Sequence, residues 1–377
     1  MKRTIGEIAE IVMGQSPKSE FYNNNGDGMP FLQGNRTFGD LYPTFDTYTT
    51  NPTKTAKAGD IIMSVRAPVG DLNITPVDMC LGRGVCALRM KNGNQSYLFY
   101  LLKHNVKTLI NRESGTVFGS VNYKDIASLV VDYEENEEEQ RRIGQFLWDI
   151  DQKIETNKAI NNNLMQQAKT IFEAEIVNRT ELPNGWKKSN LASIADYLNG
   201  LAMQNYRPTD DDQGFPVLKI KELRQGACDA DSERCSSYIK SNYIVNDGDV
   251  IFSWSGSLLV DFWCGGICGL NQHLFKVTST QYAPWFFYSW TNYHLAKFAA
   301  IASAKATTMG HIKRSDIEAA EVIIPSSADY ERIGALIQPL YNLCIALRLE
   351  NRKLAATRDS LLPRLLFGDI DICEAII

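Results

Sequence analysis

The chain has 377 residues, of which 44% are hydrophobic and 22% are charged, values typical of globular domains. Its net charge of −5 excludes a protein that binds nucleic acid through an overall basic charge. No apolar run reaches the roughly 18 residues that a membrane helix needs. The first residues, Met1 to Glu10, contain no apolar signal core. We therefore expect a cytoplasmic protein without a membrane span.

Residues 1–135 mix short apolar runs with Gly, Pro and Asn turns, which predicts a first globular domain of strands and a few helices. Residues 136–182 then carry a seven-residue repeat that predicts a long helix. Residues 183–325 again mix short apolar runs with turn residues, as residues 1–135 do, and this pattern predicts a second globular domain. Residues 326–377 predict a second long helix. The repeat positions that should pair the two helices are Ile143, Ile150, Asn157, Leu164, Ile171, Ile333, Leu340, Leu347, Leu354 and Leu361.

The two helix repeats are 190 residues apart at every step, and the duplication extends into the globular domains. Residues 59–64 (Gly-Asp-Ile-Ile-Met-Ser) reappear as residues 248–253 (Gly-Asp-Val-Ile-Phe-Ser), at an offset of 189. The chain therefore contains the same sequence module twice. The predicted fold is α+β, with two similar globular α/β domains separated by two long antiparallel coiled-coil helices and a pseudo-two-fold internal repeat.

A helix of about 40 residues is roughly 60 Å long, so two such helices laid antiparallel would form a stiff spacer between two similar domains. Equivalent major-groove faces of DNA recur about every 34 Å, which suits a target split into two parts with an unread gap. The domains are close to neutral, with 14 basic and 14 acidic residues in 1–135 and 13 and 14 in 183–325. Each domain can therefore still gather positive charge on one face.

Several segments resemble one known family. These are Leu349-Glu350-Asn351, the run from Arg358 to Gly368, the turn Gly14-Gln15-Ser16-Pro17, and the strands 59–66 and 248–255. Over essentially its whole length the chain resembles the DNA specificity subunits of type I restriction-modification systems.

The resemblance implies that residues 1–135 and 183–325 are target-recognition domains, each reading one half of a split, asymmetric site in double-stranded DNA. It further implies that the paired helices set the gap and hold two methyltransferase subunits and, through them, the restriction translocase subunits. The chain itself would be non-catalytic. Consistent with this, no phosphate-binding or dinucleotide-binding glycine loop and no base-methylation motif occurs, and we expect no cofactor.

Base edges are read by Arg, Lys, Asn, Gln, Ser and Thr side chains, with Arg favouring guanine and Asn or Gln favouring adenine. Such residues stand beside predicted strand ends in both domains. The candidates in the first domain are Gln33, Asn35, Arg36, Ser64, Arg66 and Arg83. The candidates in the second are Lys219, Lys221, Ser253, Ser255, Asn271, Gln272 and Lys305.

Two alternatives stay open at this point. One is a two-headed coiled-coil adaptor that bridges protein partners without reading DNA. The other is an enzyme that uses Cys264, Cys268 or His273, with zinc held by Cys264 and Cys268 together with Cys228 and Cys235 as its most plausible form. The spacing is unlike that of standard zinc sites, and Trp254 is interpreted as a packing residue.

Overall fold

The computed structural model describes residues 1–110, 119–304 and 310–372. The chain forms two compact units. Unit 1 contains residues 1–155 and 353–377, and unit 2 contains residues 156–352. These limits differ from the predicted domain limits at 135, 182 and 325, because each long helix contributes one part to unit 1 and the other part to unit 2.

Unit 1 consists of short strands and helices, and the first long helix, α4, begins in it. Its strands are β1 (Lys2–Thr4), β2 (Ala9–Met13), β3 (Tyr22–Asn23), β4 (Met29–Leu32), β5 (Tyr48–Thr49), β6 (Thr55–Ala56), β7 (Ile61–Ser64), β8 (Leu72–Ile74), β9 (Met79–Leu81), β10 (Val85–Met90) and β11 (Val130–Asp132). Its helices are α1 (Ile5–Ile8), α2 (Gln95–Ile110), α3 (Tyr123–Ala127) and the first part of α4 (Glu137–Phe172).

Unit 2 repeats this plan. Its strands are β12 (Lys187–Asn190), β13 (Asp196–Asn199), β14 (Phe215–Leu218), β15 (Arg234–Cys235), β16 (Ile244–Val245), β17 (Val250–Ser253), β18 (Leu259–Phe262), β19 (Cys268–Leu270), β20 (Leu274–Thr278) and β21 (Glu321–Ile324). Its helices are α5 (Leu191–Ile194), α6 (Ile220–Gln225), α7 (Pro284–Ala304), α8 (Arg314–Glu318) and the first part of α9 (Ser327–Leu366). Unit 2 also contains the last part of α4, and unit 1 contains the last part of α9.

The sheet topology shows the duplication. The antiparallel sheet β2-β10-β7-β8 of unit 1 has its counterpart in β13-β20-β17-β18 of unit 2. The second sheets are β3-β5-β4-β9-β6 and β15-β14-β19-β16, each with one parallel pair, β4 with β9 and β14 with β19. The pair β1-β11 closes the first unit as β12-β21 closes the second. The predicted α+β class with two similar globular domains and an internal repeat is confirmed.

The central strands β7 and β17 are buried along their whole length, because each has a core on both faces. In β7, Ile61 and Met63 enter one hydrophobic cluster with α2, whereas Ile62 enters another below the second sheet. In β17, Phe252 packs with α7 and Ile251 packs on the opposite face. A two-sided core explains why these strands have apolar rather than alternating sequences.

Each globular unit is fixed to a long helix at a glycine. A Cβ atom on Gly144 of α4 would lie 2.5 Å from the backbone nitrogen of Tyr97 in α2. A Cβ atom on Gly334 of α9 would lie 2.9 Å from Nε1 of Trp285 in α7. Ile143 beside the first glycine and Ile333 beside the second are buried in the cores of their units. The glycines allow α4 to approach α2 closely and α9 to approach α7 closely.

Within each unit, α4 and α9 run antiparallel. In unit 2, Asn157 Nδ2 donates hydrogen bonds to Glu350 and Asn351, both at 2.8 Å, and Glu175 forms an ion pair of 2.8 Å with Arg332. Between these two contacts, the residue numbers rise along the first helical segment and fall along α9, so the two segments are antiparallel.

The predicted pairing positions differ in exposure. Ile143, Asn157 and Ile333 are buried, whereas Ile150, Leu164, Ile171, Leu340, Leu347, Leu354 and Leu361 are half-buried.

Candidate nucleic-acid interface

In unit 1, a tight turn between β9 and β10 lies against the end of β4. The turn consists of Gly82, Arg83 and Gly84. The backbone N–H of Gly82 donates to the carbonyl of Leu32 at 2.8 Å, and that of Gly84 donates to the carbonyl of Gln33 at 2.9 Å. These bonds fix the backbone of the turn beside Gln33.

Glycine is required on both sides of Arg83. A Cβ on Gly82 would lie 2.6 Å from the Cα of Gln33, and a Cβ on Gly84 would lie 2.5 Å from its carbonyl oxygen. Gly14, in the neighbouring loop, approaches the carbonyl of Gly82 equally closely, at 2.1 Å from an added Cβ. Arg83 is consequently the one residue of this turn that carries a side chain.

Ser16 connects the turn to the neighbouring loops. Its hydroxyl donates to Oε1 of Gln33 at 2.9 Å and accepts from the backbone N–H of Arg83 at 3.1 Å. Asn35 joins the same group of loops by donating from Nδ2 to Asp71 at 2.6 Å. Four loops therefore meet at one end of the unit 1 sheets.

The candidate arginines of unit 1 differ in whether an acidic side chain pairs with them. Arg36 donates two hydrogen bonds to the carboxylate of Asp46, at 2.8 and 2.7 Å, and its guanidinium lowers the pKa of that carboxyl group. Arg66 and Arg83 are exposed, and the side chain of neither forms an ion pair or hydrogen bond with any residue that the structure describes. Among the described residues, neither guanidinium has an acidic partner, in contrast to Arg36.

Ser64 is placed differently from the prediction. Its side chain is fully buried, its hydroxyl donates to the carbonyl of Pro68 at 2.8 Å, and it accepts from the backbone N–H of Asp71 at 2.9 Å. Ser253 is also fully buried in unit 2, and its hydroxyl donates to the carbonyls of Ser255 and Ser257. Both serines hold the loop after the central strand and lie below the surface that would meet DNA.

Unit 2 contains the same turn with different side chains. Asn271, Gln272 and His273 connect β19 to β20. The N–H of Asn271 donates to the carbonyl of Leu218 at 3.2 Å, as Gly82 does to Leu32 in unit 1. A Cβ on Gly200 would lie 2.2 Å from the carbonyl of Asn271, as that of Gly14 would from Gly82. Gln272 therefore occupies the position of Arg83.

Three further pairs of equivalent positions follow from backbone contacts. Arg66 forms an isolated β-bridge with Ser120, and Ser255 forms one with His311. The carbonyl of Gly84 accepts from the N–H of Val65 at 2.9 Å, and that of His273 accepts from the N–H of Trp254 at 3.4 Å. Trp254 thus corresponds to Val65, Ser255 to Arg66, and His311 to Ser120.

The unit 2 surface is aromatic where that of unit 1 is cationic. The ring of half-buried Trp254 lies 6.0 Å from that of His273 and 6.2 Å from that of His311, and its Nε1 donates to Asn199 at 2.9 Å. Ser255, itself buried, contacts Nδ1 of His273 at 3.2 Å. Sequence reasoning interpreted Trp254 as a packing residue, and its ring does pack against the unit 2 core, 5.9 Å from that of Phe275. Sequence reasoning did not name His311, which the offset of 191 residues from Ser120 could have found.

The other unit 2 candidates that the structure describes are engaged or buried. Lys219 forms an ion pair of 2.8 Å with Glu233 and lowers the pKa of that carboxyl group, and Lys221 forms one of 3.1 Å with Asp229. Asn271 is buried, and its side chain accepts from the N–H of His273. Lys305 lies outside the described residues.

The described residues contain no group of three or more His, Cys, Asp or Glu side chains placed to hold a metal ion. Burial raises the pKa of the Cys264 thiol to about 11. For Cys268, a hydrogen bond with Cys228 and burial raise the thiol pKa further. Protonated, buried thiols are poor nucleophiles. In the part of the chain that the structure describes, every helix is too short or too polar to span a bilayer.

The fold and these surfaces define a class of protein: an internally duplicated α+β chain in which each repeat joins a globular unit, with polar loops gathered at one end, to a long helix. The family model described as type I restriction modification DNA specificity domain matches residues 1–166 and 183–356. The chain belongs to this family, the DNA specificity subunits of type I restriction-modification systems.

Similar proteins agree with this. The chain is 25% identical over 411 aligned positions to the type I restriction enzyme MjaIX specificity subunit of Methanocaldococcus jannaschii, covering 99% of this chain and 94% of that one. It is 36% identical over 187 residues to a candidate MjaX specificity subunit of the same organism, covering 45% of this chain and 44% of that one.

The fold is similar to the crystal structure of a type I restriction-modification S subunit from M. genitalium, with a TM-score of 0.63, 14% identity, and coverage of 97% and 95% of the two chains. The family model confirms the predicted family. A specificity subunit is a non-catalytic component that acts with partner subunits on DNA, so the enzyme alternative is set aside.

Proposed function

We propose that unit 1 and unit 2 each read one half of a split, asymmetric site in double-stranded DNA. The observation that carries this proposal is the pair of equivalent turns, which share a hydrogen-bonded frame but carry different side chains, Arg83 and Gln272. Two identical readers would select a symmetric site, whereas two readers on one frame with different side chains select two different half-sites.

The target-recognition roles are assigned to residues 1–135 and 183–325, and the spacer role to residues 136–182 and 326–377. The paired helices α4 and α9 set the number of unread base pairs between the half-sites. Two methyltransferase subunits dock on these helices, and the restriction translocase subunits join through them. The complex works in the cytoplasm, on the DNA that it modifies. Family membership favours this function over a protein adaptor that does not read DNA.

The first test is co-expression of the full chain with its methyltransferase partner, followed by sequencing of modified bases in the host DNA. We expect one split motif. Exchange of residues 30–85 for the corresponding segment of a specificity subunit with a known different motif should replace one half of the motif and leave the other unchanged. A stable complex that yields no motif would refute DNA reading and support the adaptor function.

The second test shortens α4 and α9 together by one heptad, which removes about 10 Å from a helix. The two half-sites should stay the same while the gap between them shortens by about three base pairs, since one base pair rises about 3.4 Å. A control variant that replaces exposed residues within the same heptads, without deleting any residue, should keep the original gap. An unchanged gap after the deletion would contradict the spacer role.

A further inference from the structure

Resting on the proposed function, we infer that Arg83 and Gln272 are the equivalent base-reading residues of the two units. Arg83 selects guanine in the half-site of unit 1, and Gln272 selects adenine in the half-site of unit 2. The inference names two specificity-determining side chains and the base that each one requires.

The first support is the rigidity of the turn that carries each side chain. The backbone around Arg83 is held by hydrogen bonds from Gly82 and Gly84 and by the Ser16 hydroxyl at 3.1 Å. The backbone around Gln272 is held by the bond from Asn271 to Leu218 and by the close approach of Gly200. A fixed backbone limits where the side chain can reach, and discrimination between bases depends on such placement.

The second support is the absence of a competing partner. Arg83 is exposed, and no described residue forms an ion pair or side-chain hydrogen bond with it, in contrast to Arg36, which Asp46 neutralises. Gln272 is half-buried, and its one side-chain hydrogen-bond contact among the described residues is with Nε2 of His273 at 3.4 Å, which is long for a hydrogen bond. Neither side chain has a strong competing partner among the described residues.

The third support is chemical. A guanidinium presents two parallel donors that match O6 and N7 of guanine, and a carboxamide presents one donor and one acceptor that match N7 and N6 of adenine. A cation at both positions would favour a shared phosphate contact. The change from Arg83 to the neutral Gln272 instead alters the base edge that the side chain can pair with, as two different half-sites require.

The test uses the assembled complex and a DNA duplex that carries the motif obtained by sequencing of modified bases. Affinities are measured for duplexes in which each motif position is replaced in turn, at several salt concentrations. The variants are Arg83→Gln, Arg83→Lys and Gln272→Arg. The matched controls are Lys57→Gln and Lys188→Gln, which remove exposed cations that are neutralised by Asp78 and Glu321 in the same units.

We expect Arg83→Gln to reduce discrimination against replacement of one guanine by roughly 5- to 150-fold, with the other half-site unchanged. Arg83→Lys keeps the charge but loses the paired donors, so it should lose much of the same discrimination at an unchanged salt dependence. Gln272→Arg should shift one position of the other half-site from adenine to guanine. The controls should leave every position within about twofold.

Three outcomes would overturn the inference while leaving the split motif intact. One is a wild-type motif that lacks guanine in the half-site replaced with residues 30–85. Another is uniform weakening by Arg83→Gln on all duplexes with a salt slope reduced by about one, which marks a phosphate contact. The third is no change at any position in a variant that assembles normally. Absence of any motif from the assembled wild-type complex would instead refute the proposed function itself.

Discussion

Asp151 provides the sharpest test of how unit 1 is fastened to its helices. This carboxylate on α4 forms an ion pair with Arg358 on α9, accepts a hydrogen bond of 2.7 Å from the hydroxyl of Tyr100 on α2, and lies 3.8 Å from Nζ of Lys103. The side chains of Asp151 and Arg358 are only 8% and 13% exposed. Desolvation and the nearby Asp151 charge raise the pKa of Tyr100, so its hydroxyl remains a donor.

We expect Asp151→Asn to destabilise unit 1 by about 3 kcal/mol. Removing one partner of a buried ion pair costs roughly 3–5 kcal/mol, because the remaining charge is left uncompensated. The lower end applies because asparagine can still accept from Tyr100 and because Arg358 keeps Asp359 at 2.7 Å. Amide hydrogen exchange in α2 and the first part of α4 should accelerate by roughly 100-fold, since about 1.4 kcal/mol corresponds to tenfold.

Two variants control this experiment. Asp149→Asn changes an exposed carboxylate on the same helix and should alter stability by less than about 0.5 kcal/mol. The double variant Asp151→Asn with Arg358→Met removes both charges and should recover most of the loss, because a buried pair can often be replaced by apolar groups at little cost. Equal exchange rates in Asp151→Asn and Asp149→Asn, or no recovery in the double variant, would refute this account of the pair.

Two further predictions concern single contacts. Gly144→Ala should destabilise unit 1 by roughly 1–3 kcal/mol, because the added methyl group would overpack against the backbone of Tyr97. Helix propensity alone would instead stabilise the protein by about 1 kcal/mol. Denaturant unfolding gives the sign of the change, and a gain in stability would contradict the close approach of the two helices. Hydrogen bonds from Ser236 and Ser237 lower the pKa of Asp212 to about 2 from 3.8. Its stabilising effect should be full above about pH 4 and disappear as pH falls toward 2. Hydrogen exchange in residues 206–238 should follow that titration in the wild type and lose it in Asp212→Asn.

The sequence was sufficient to predict the duplication and the fold class, because both depend on periodic patterns that repeat along the chain. The segments 59–64 and 248–253 became the central strands β7 and β17, and the seven-residue repeats became α4 and α9. The extent of the compact units could not be predicted. A helix pattern does not reveal that one part of α4 packs with α2 and the remainder belongs to unit 2.

The structure brings Gln33, Asn35 and Arg83 into one group of loops, but it places other candidate residues in the core or in ion pairs. Ser64 and Ser253 were chosen as polar residues after a strand, but buried strand ends also need hydroxyl groups to satisfy loop backbone atoms, and the structure uses them in that way. Lys219 and Lys221 were chosen as cations, yet their acidic partners Glu233 and Asp229 lie 14 and 8 residues away along the chain. Pairing of this kind depends on tertiary structure that a local pattern does not contain.

The division between frame and tip explains how one chain can carry two different readers. The frame positions, such as Ser64 with Ser253 and Gly14 with Gly200, are buried or closely packed, so changes there would disturb the loops themselves. The tip positions are more open and rest on backbone hydrogen bonds that do not depend on the side chain. Replacement of Arg83 by the Gln272 type of side chain should therefore cost the fold little, and under the proposed function a unit could change its half-site with little loss of stability.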